Sequence, residues 1–442
     1  MQIKTLADSL RTLRNIFSIC FTFLKSLFFY VNLQPLLSGG YMSVPNSDFE
    51  WHELQNQIET KGKDIFSRAS SDSKSIFNKD WWYGRIMDWS MKNEKFKTQM
   101  FRFVDVLPYL NSGGEVARHL KEYFAQGKDE LPSVFNFGVG VGALAPSLMA
   151  GAVRKNVTQM AKMFITGESP KDALSTIKKS RKDHIGFTVD LLGEATLSEK
   201  EALNYQNKYI ELISWLTKDA DTWNDDEQID GNHLGSIPKV NVSVKLSSLY
   251  SQIKSADWDN TIATLKERLR PIFRLAMQKS AFINLDMEQY DHKELTLEVF
   301  QELIMEEEFR TYPHWGIVTQ AYLRDSLDDL KKLKTLSERR KVPFTIRLVK
   351  GAYWDYETVF SEQRGWPYPV YLSKQESDVN FENCAKFILE NHKLMHLAVG
   401  SHNVRSLATC LVIAEKLKLP KNAIEIQMLY GMADPFKRAL VG

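Results

Sequence analysis

Phe344-Thr345-Ile346-Arg347-Leu348-Val349-Lys350-Gly351-Ala352-Tyr353-Trp354-Asp355 is the stretch from which the fold is read. A strand-like run, Pro343–Ile346, ends at a charged residue, Arg347, with Lys350 just beyond it. Six more short apolar runs share this habit: Phe187–Leu191, Val240–Val244, Ala281–Leu285, Gly316–Thr319, His396–Val399 and Ala423–Ile426. Amphipathic helical stretches separate them, among them Asn260–Leu269 and Leu327–Leu333. Strands alternating with helices predict right-handed crossovers and a parallel sheet. Seven such units predict an α/β fold, a (β/α)8 TIM-like barrel lacking its last βα unit; a doubly wound open sheet is the alternative.

A polar residue stands at or just past nearly every strand end. In order these are Asp190 with Glu194, Lys245, Asp286 with Glu288, Gln320, Arg347 with Lys350, His402 with Asn403, and Gln427. In a barrel these ends face one mouth, where active sites sit. Acids and bases together there suit a zwitterion or a polar cofactor.

Upstream of about Ile185 the pattern is helical, as in Trp51–Ile58 and Asn156–Ile165. Three segments are expected: an apolar N-terminal extension, 1–41; a helical arm, 42–182; and the barrel, 183–442. Residues 1–41 carry Lys4, Arg11 and Arg14 ahead of an apolar run that Lys25 and Asn32 interrupt. They read as upstream sequence from an early start, as a membrane-surface helix, or as a signal or spanning anchor. Gly138-Val139-Gly140-Val141-Gly142 is G-x-G-x-G without a preceding strand, so it reads as a tight turn rather than a dinucleotide loop.

Composition narrows the function. A hydrophobic share of 43% with 25% charged residues supports a packed core, and a net charge of +2 argues against nucleic acid as partner. Cys20, Cys384 and Cys410 form no CxxC pair, and the last two read as buried apolar residues. His392 and His396 are four apart but lack the H-E-x-x-H frame, so no metal is expected there. No P-loop or G-x-S-x-G elbow is present, which leaves nucleophilic hydrolysis little support.

The run Arg347-Leu348-Val349-Lys350-Gly351-Ala352-Tyr353-Trp354 closely resembles the signature of proline dehydrogenases. So do Val244–Ser247, Asn284–Glu288, Gly400–Asn403, Gln427–Met432 and the first strand Phe187–Ala195, all in family order. The arm, including Phe101–Pro108, resembles that of bacterial proline utilization A proteins, which are bifunctional. The resemblance implies an FAD-dependent oxidation of L-proline to 1-pyrroline-5-carboxylate, with electrons passing from flavin to a membrane quinone. It further implies a cytoplasmic enzyme with peripheral contact at the inner membrane, and a parent protein that continues into an NAD-dependent aldehyde dehydrogenase.

Residue by residue, the resemblance implies Arg347, Lys245 and Asp286 as catalytic groups. Arg347 matches the guanidinium near the flavin N5, and Gln320 and His402 match residues around the isoalloxazine. The backbone of Val349, Lys350 and Gly351 would approach the cofactor, and Trp354 would offer it an apolar face. Lys374, Ser377 and Asn403 match positions holding the adenosine and phosphates; the family often has Thr near Ser377. Lys245 would hold the substrate carboxylate, Asp286 and Leu429 would line the pocket, and Asp190 and Glu194 would orient basic partners.

The family's eighth strand and following helix, which bear a tyrosine and a paired arginine, have no counterpart before Leu440-Val441-Gly442. The chain is therefore expected to be a C-terminally truncated fragment that binds FAD weakly and turns over proline slowly or not at all. Two rivals remain: another flavin barrel, such as a folate-reducing enzyme, and a non-catalytic remnant.

Overall fold

The computed structural model describes residues 51–71, 98–99, 102–103, 106–124, 165–167, 169–191 and 195–441. The expectations for 1–41, Cys20, Gly138–Gly142 and Glu194 lie outside the described residues, as does most of Asn156–Ile165 and part of Phe101–Pro108.

Seven strands hydrogen-bond in chain order, all parallel: β1 (Val189–Asp190), β2 (Val240–Val244), β3 (Ala281–Leu285), β4 (Trp315–Gln320), β5 (Phe344–Val349), β6 (Met395–Gly400) and β7 (Ile424–Gln427). The expected strands are all present. Those from β4 to β6 each run two residues longer, and β1 is shorter.

Helices occupy the crossovers: α4 (Glu199–Ala220), α5 (Trp258–Lys279), α6 (Lys293–Met305), α7 (Ser326–Arg340), α8 (Trp354–Arg364), α9 (Lys374–Glu390) and α10 (Val404–Lys416). Upstream lie α1 (Trp51–Ser71), α2 (Gly113–Phe124) and α3 (Pro170–Lys182), and α11 (Asp434–Val441) follows β7. Their ends are set locally. Ser198 caps α4 by accepting from Glu201 N at 3.3 Å, and α5 stops where Ser280 turns left-handed at φ 52°. Among the described residues no helix is long and apolar enough to cross a membrane.

The core lies between sheet and helices. Val242, Val244, Ile283, Leu285, Ile317, Ile346, Leu348, Leu397 and Val399 are buried and pack on helix residues such as Leu269, Phe300, Leu333, Ile388 and Ile413. Each such side chain contributes about 1.5–3 kcal/mol by leaving water. Cys384 on α9 and Cys410 on α10 sit in this layer as free, buried thiols, as expected. Burial pushes the Cys384 thiol up to about 12 and the Cys410 thiol up as well.

Contacts divide the described residues into two compact units. One holds 51–69, 170–428 and 436–441; the other holds the described part of 70–169 together with Leu429–Pro435. In the first, α1 lies on α10: Lys61 pairs with Glu415 at 2.6 Å, Arg405 donates to Gln55 at 3.2 Å, and Gly62 faces Val404. In the second, Phe103, Leu107, Leu110 and Val116 form a small core.

Candidate active site

Strand alternation assigns the polar face. Ser243 on β2 and Lys245 just past its end, and Asn284 on β3 and Asp286 just past its end, lie two residues apart, so their side chains leave the same side of the sheet. Ser243 stands opposite Asn284 in the β2–β3 ladder. Arg347, in the middle of β5, donates through Nη1 to Asp286 Oδ1 at 2.8 Å and to Ser243 Oγ at 2.9 Å. Three strand spacings separate β5 from β2, about 14 Å in a flat sheet, which is farther than an arginine side chain extends. The bond to Ser243 therefore requires the sheet to curl, as a barrel wall does and an open doubly wound sheet does not.

The same curl closes an ionic set. Asn284 Nδ2 donates to Asp286 Oδ1 at 3.0 Å. Lys245 Nζ bonds Asp190 and lies 3.4 Å from Asp286 Oδ2. Burial alone would lower the Lys245 pKa, but the facing Asp190 and Asp286 outweigh it and hold it well above the ordinary lysine value. Asp190 is pushed up by burial, with Asp286 adding repulsion against the pull of Lys245 and Arg347. Its side chain keeps 34% of its surface open, so solvent tempers that rise. Tyr209, fully buried on α4, lies near enough for the Asp190 charge to add to the upward push that burial gives its phenol.

A second wall continues from β4 and β5. Gln320 is 2% exposed and donates from Nε2 to the carbonyls of Met287 (3.4 Å) and Glu288 (3.3 Å). Among the described residues its Oε1 has no partner, nor has Arg347 Nε or Thr319 Oγ1. Buried polar atoms left in this state carry a desolvation cost that a polar ligand would relieve. Gly351 adopts φ +137°, and a Cβ there would lie 2.5 Å from Tyr322 Cγ, so only glycine fits between the loop and that ring. The carbonyls of Val349 and Lys350 accept from Ala321 N (2.8 Å) and Tyr322 N (2.6 Å).

Other expected site residues have visible engagements of their own. Trp354 Nε1 donates to the Tyr371 carbonyl at 2.9 Å, and its ring packs with Tyr322, Leu323 and Val370. Lys350 Nζ pairs with Asp378, which Lys374 also holds at 2.9 Å. Burial, helped by the Lys374 charge, lowers the Lys350 pKa against the pull of Asp378. Ser377 Oγ donates to the Ser373 carbonyl at 3.4 Å, and Asn403 Oδ1 caps α10 by accepting from Ser406 N at 3.0 Å. His402 is buried in the loop after β6. The structure thus joins Asp190, Lys245, Asp286 and Arg347 in one network. Gln320 stands beside that network through its bonds to the Met287 and Glu288 carbonyls, and Lys350 and Lys374 share a separate carboxylate. Leu429 falls in the other compact unit.

The sequence reading missed Ser243, Asn284, Tyr209, Ser247 and Tyr322. A period-two polar face was available for Ser243 and Asn284, and Ser247 closes the Val244–Ser247 motif; nothing local marked Tyr209 or Tyr322. His396, expected to be structural, is buried with Nδ1 3.3 Å from His233 Nδ1. Among the described residues, Glu294, Asp325 and Asp329 lie close enough together to ligate a metal, but Lys293 Nζ lies 2.7–2.9 Å from all three.

Comparison with known proteins agrees with this fold. A family model for proline dehydrogenase matches residues 173–442, and one for the proline utilization A N-terminal domain matches 55–164. The bifunctional protein PutA of Klebsiella aerogenes is 32% identical over 306 residues, which is 68% of this chain and 22% of that protein. The proline dehydrogenase of Deinococcus radiodurans is 29% identical over 65% of this chain and 79% of its own length. A crystal structure of proline utilization A from Bdellovibrio bacteriovorus, inactivated by N-propargylglycine, superposes with a TM-score of 0.80 at 59% identity, covering 88% of this chain and 38% of that one. The chain thus spans about a fifth of the length of the curated PutA relatives it matches. With more than half of its residues matched by the family model, this chain belongs to the proline dehydrogenase family.

Proposed function

We propose that the curled sheet 183–442, with the arm 42–182, carries an FAD-dependent oxidation of L-proline to 1-pyrroline-5-carboxylate. The observation that carries this reading is the network of Arg347, Asp286, Lys245 and Asp190 set beside buried polar atoms that have no partner among the described residues. When bound, FAD supplies the two-electron acceptor for the hydride leaving proline C5. Gln320 Oε1 and Arg347 Nε are the groups that would hold its polar ring, and Gly351, which lets the loop after β5 pass against the Tyr322 ring, belongs to the proposed cofactor wall. His402, Trp354, Lys350, Lys374, Ser377, Asn403 and Val349 complete the proposed cofactor set.

Lys245, kept charged by its acidic neighbours, offers an ammonium to the substrate carboxylate. Asp286 fixes both cations, Arg347 and Lys245, so that neither swings with substrate loading. Asp190 orients Lys245. Arg347 places fixed positive charge where electron density arrives, which favours reduction. Onward transfer to a quinone at the inner membrane, a cytoplasmic location, and continuation of the parent protein into an NAD-dependent aldehyde dehydrogenase belong to the same proposal.

The test is anaerobic. The purified chain is loaded with FAD and L-proline is added. With FAD in excess, slow bleaching of the flavin absorbance by L-proline, with pyrroline-5-carboxylate formed in equal amount, is the expected result. Flavin that stays oxidised would favour another flavin barrel, and failure to retain flavin would favour a non-catalytic remnant.

A further inference from the structure

Beneath the ionic network runs a second chain of polar groups that no site residue above explains. After β1, Thr196 donates to the Ser247 carbonyl through its N–H at 3.0 Å and its hydroxyl at 3.2 Å. Ser247, in the turn after β2, donates its N–H to Glu288 Oε2 at 3.1 Å and its hydroxyl to Glu288 Oε1. Glu288, after β3, offers its own carbonyl to Gln320 Nε2 at the end of β4. Four successive strand ends are thereby stitched together by Thr196, Ser247, Glu288 and Gln320, which are 3%, 3%, 5% and 2% exposed.

Two facts argue that this chain does more than fill space. Among the described residues, no lysine, arginine or histidine comes within ion-pairing distance of the Glu288 carboxylate, although Glu288 is nearly fully buried. An apolar residue of similar size would avoid the cost of that burial, so the carboxylate is kept for the geometry it imposes through two donors from one serine. The groups it anchors also flank the proposed chemistry. Lys245 lies two residues before Ser247, its carbonyl held by Ser248 Oγ at 2.6 Å; Asp286 lies two residues before Glu288; and Gln320 is itself a member.

We propose that Glu288 is a positioning residue that sets Lys245 and Gln320 at a common height, coupling the carboxylate end of the substrate pocket to the cofactor wall. This rests on the proline dehydrogenase reading above. A displacement of about 1 Å at reacting groups can cost about a hundredfold in rate, so Glu288→Ala is expected to lower kcat/KM for proline about 10- to 100-fold, chiefly through KM. Glu288→Gln keeps an acceptor for the Ser247 N–H and a donor for the Ser247 oxygen, and restores most of the loss.

The experiment uses the full flavin-loaded chain and its Glu288→Ala, Glu288→Gln and Ser247→Ala forms. Steady-state kinetics with proline are paired with titration by cyclopentanecarboxylate, a ring carboxylate without the amine, read from the flavin spectrum. Weaker analogue binding in Glu288→Ala with recovery in Glu288→Gln is expected. Unchanged KM and analogue affinity in a folded Glu288→Ala protein overturns the assignment. If that variant fails to fold, Ser247→Ala, which removes one of the two donors, must still weaken the analogue about threefold or more, and unchanged affinity there overturns it equally. Failure of the unmodified chain to be reduced by proline sinks the assigned reaction instead, while the analogue titration still judges Glu288.

Discussion

Replacing Lys245 with methionine removes the ammonium that lies between Asp190 and Asp286 while keeping most of the side-chain volume. At 3.4 Å the Lys245–Asp286 pair alone has a gross attraction of about 5 kcal/mol at an effective dielectric of about 20. Desolvation offsets much of that, and stripping one partner from a buried pair typically costs about 3–5 kcal/mol. Asp190 keeps 34% of its side chain open and is screened, so a loss of about 2–3 kcal/mol near pH 8 is the appropriate figure. The pH dependence is the sharper test. Burial and Asp286 already raise the Asp190 pKa, and losing Lys245 raises it further. A carboxyl raised in the fold penalises the folded state above its pKa, and the penalty fades as pH falls and the group takes a proton.

The stability gap between wild type and Lys245→Met should therefore be widest near pH 8 and shrink by about 1 kcal/mol or more towards pH 5. Urea unfolding at several pH values measures it, with Asp190→Asn and the double variant completing the cycle. The double variant should lose less than Lys245→Met alone, since no charge is stranded. A gap that stays flat across the range, or a Lys245→Met protein as stable as wild type near pH 8, would refute the reasoning.

Two further outcomes are expected. Gly351→Ala forces a Cβ against Tyr322 at a positive φ; flavin affinity should fall about tenfold or more, whereas Gly365→Ala, at φ +64° with nothing within 4 Å, should cost about 1 kcal/mol of stability and leave flavin binding unchanged. Equal flavin affinity in wild type and Gly351→Ala would remove Gly351 from the proposed cofactor set. Burial and the neighbouring His233 hold His396 down at about 3, and burial holds His314 at about 4. Both stay neutral in the fold while their unfolded counterparts protonate near pH 6.5, so stability present above that value is lost as pH falls towards 4, with each histidine costing up to about 1.4 kcal/mol for every tenfold rise in proton concentration. Melting temperature should decline over that interval and decline less steeply in His396→Gln; parallel profiles would exclude His396 as a source.

The seven strands were legible because each apolar run ends abruptly at a polar residue. Their lengths were not. The ladder continues through Arg347, Leu348 and Val349, where hydropathy alone stops at Ile346, because the barrel interior accepts a charged side chain that has partners across the curl. At the other extreme β1 shrinks to Val189–Asp190, where a single neighbour supports it. Asp190, Lys245, Asp286 and Arg347 were each visible at a strand end, and the barrel reading sent them to one mouth; which atoms pair there was not legible, since that depends on a bond from β5 to β2 that no local pattern encodes. Ser247 and Glu288 illustrate the same limit: a buried polar residue declares its purpose only when its partner arrives from another loop. Helix chemistry was similarly hidden, as Asn403 spends its side-chain oxygen on the first turn of α10.

The two thiols in the outer layer, Cys384 on α9 and Cys410 on α10, have a use in the laboratory that follows from their seclusion. A maleimide or disulfide reagent needs both access and a thiolate, and burial withholds both from Cys384 and Cys410 in the intact layer. Their labelling rates therefore become a stopwatch for how often α9 and α10 lift away from the sheet. If the cofactor tightens this half of the molecule, adding flavin should slow that clock before any substrate is present.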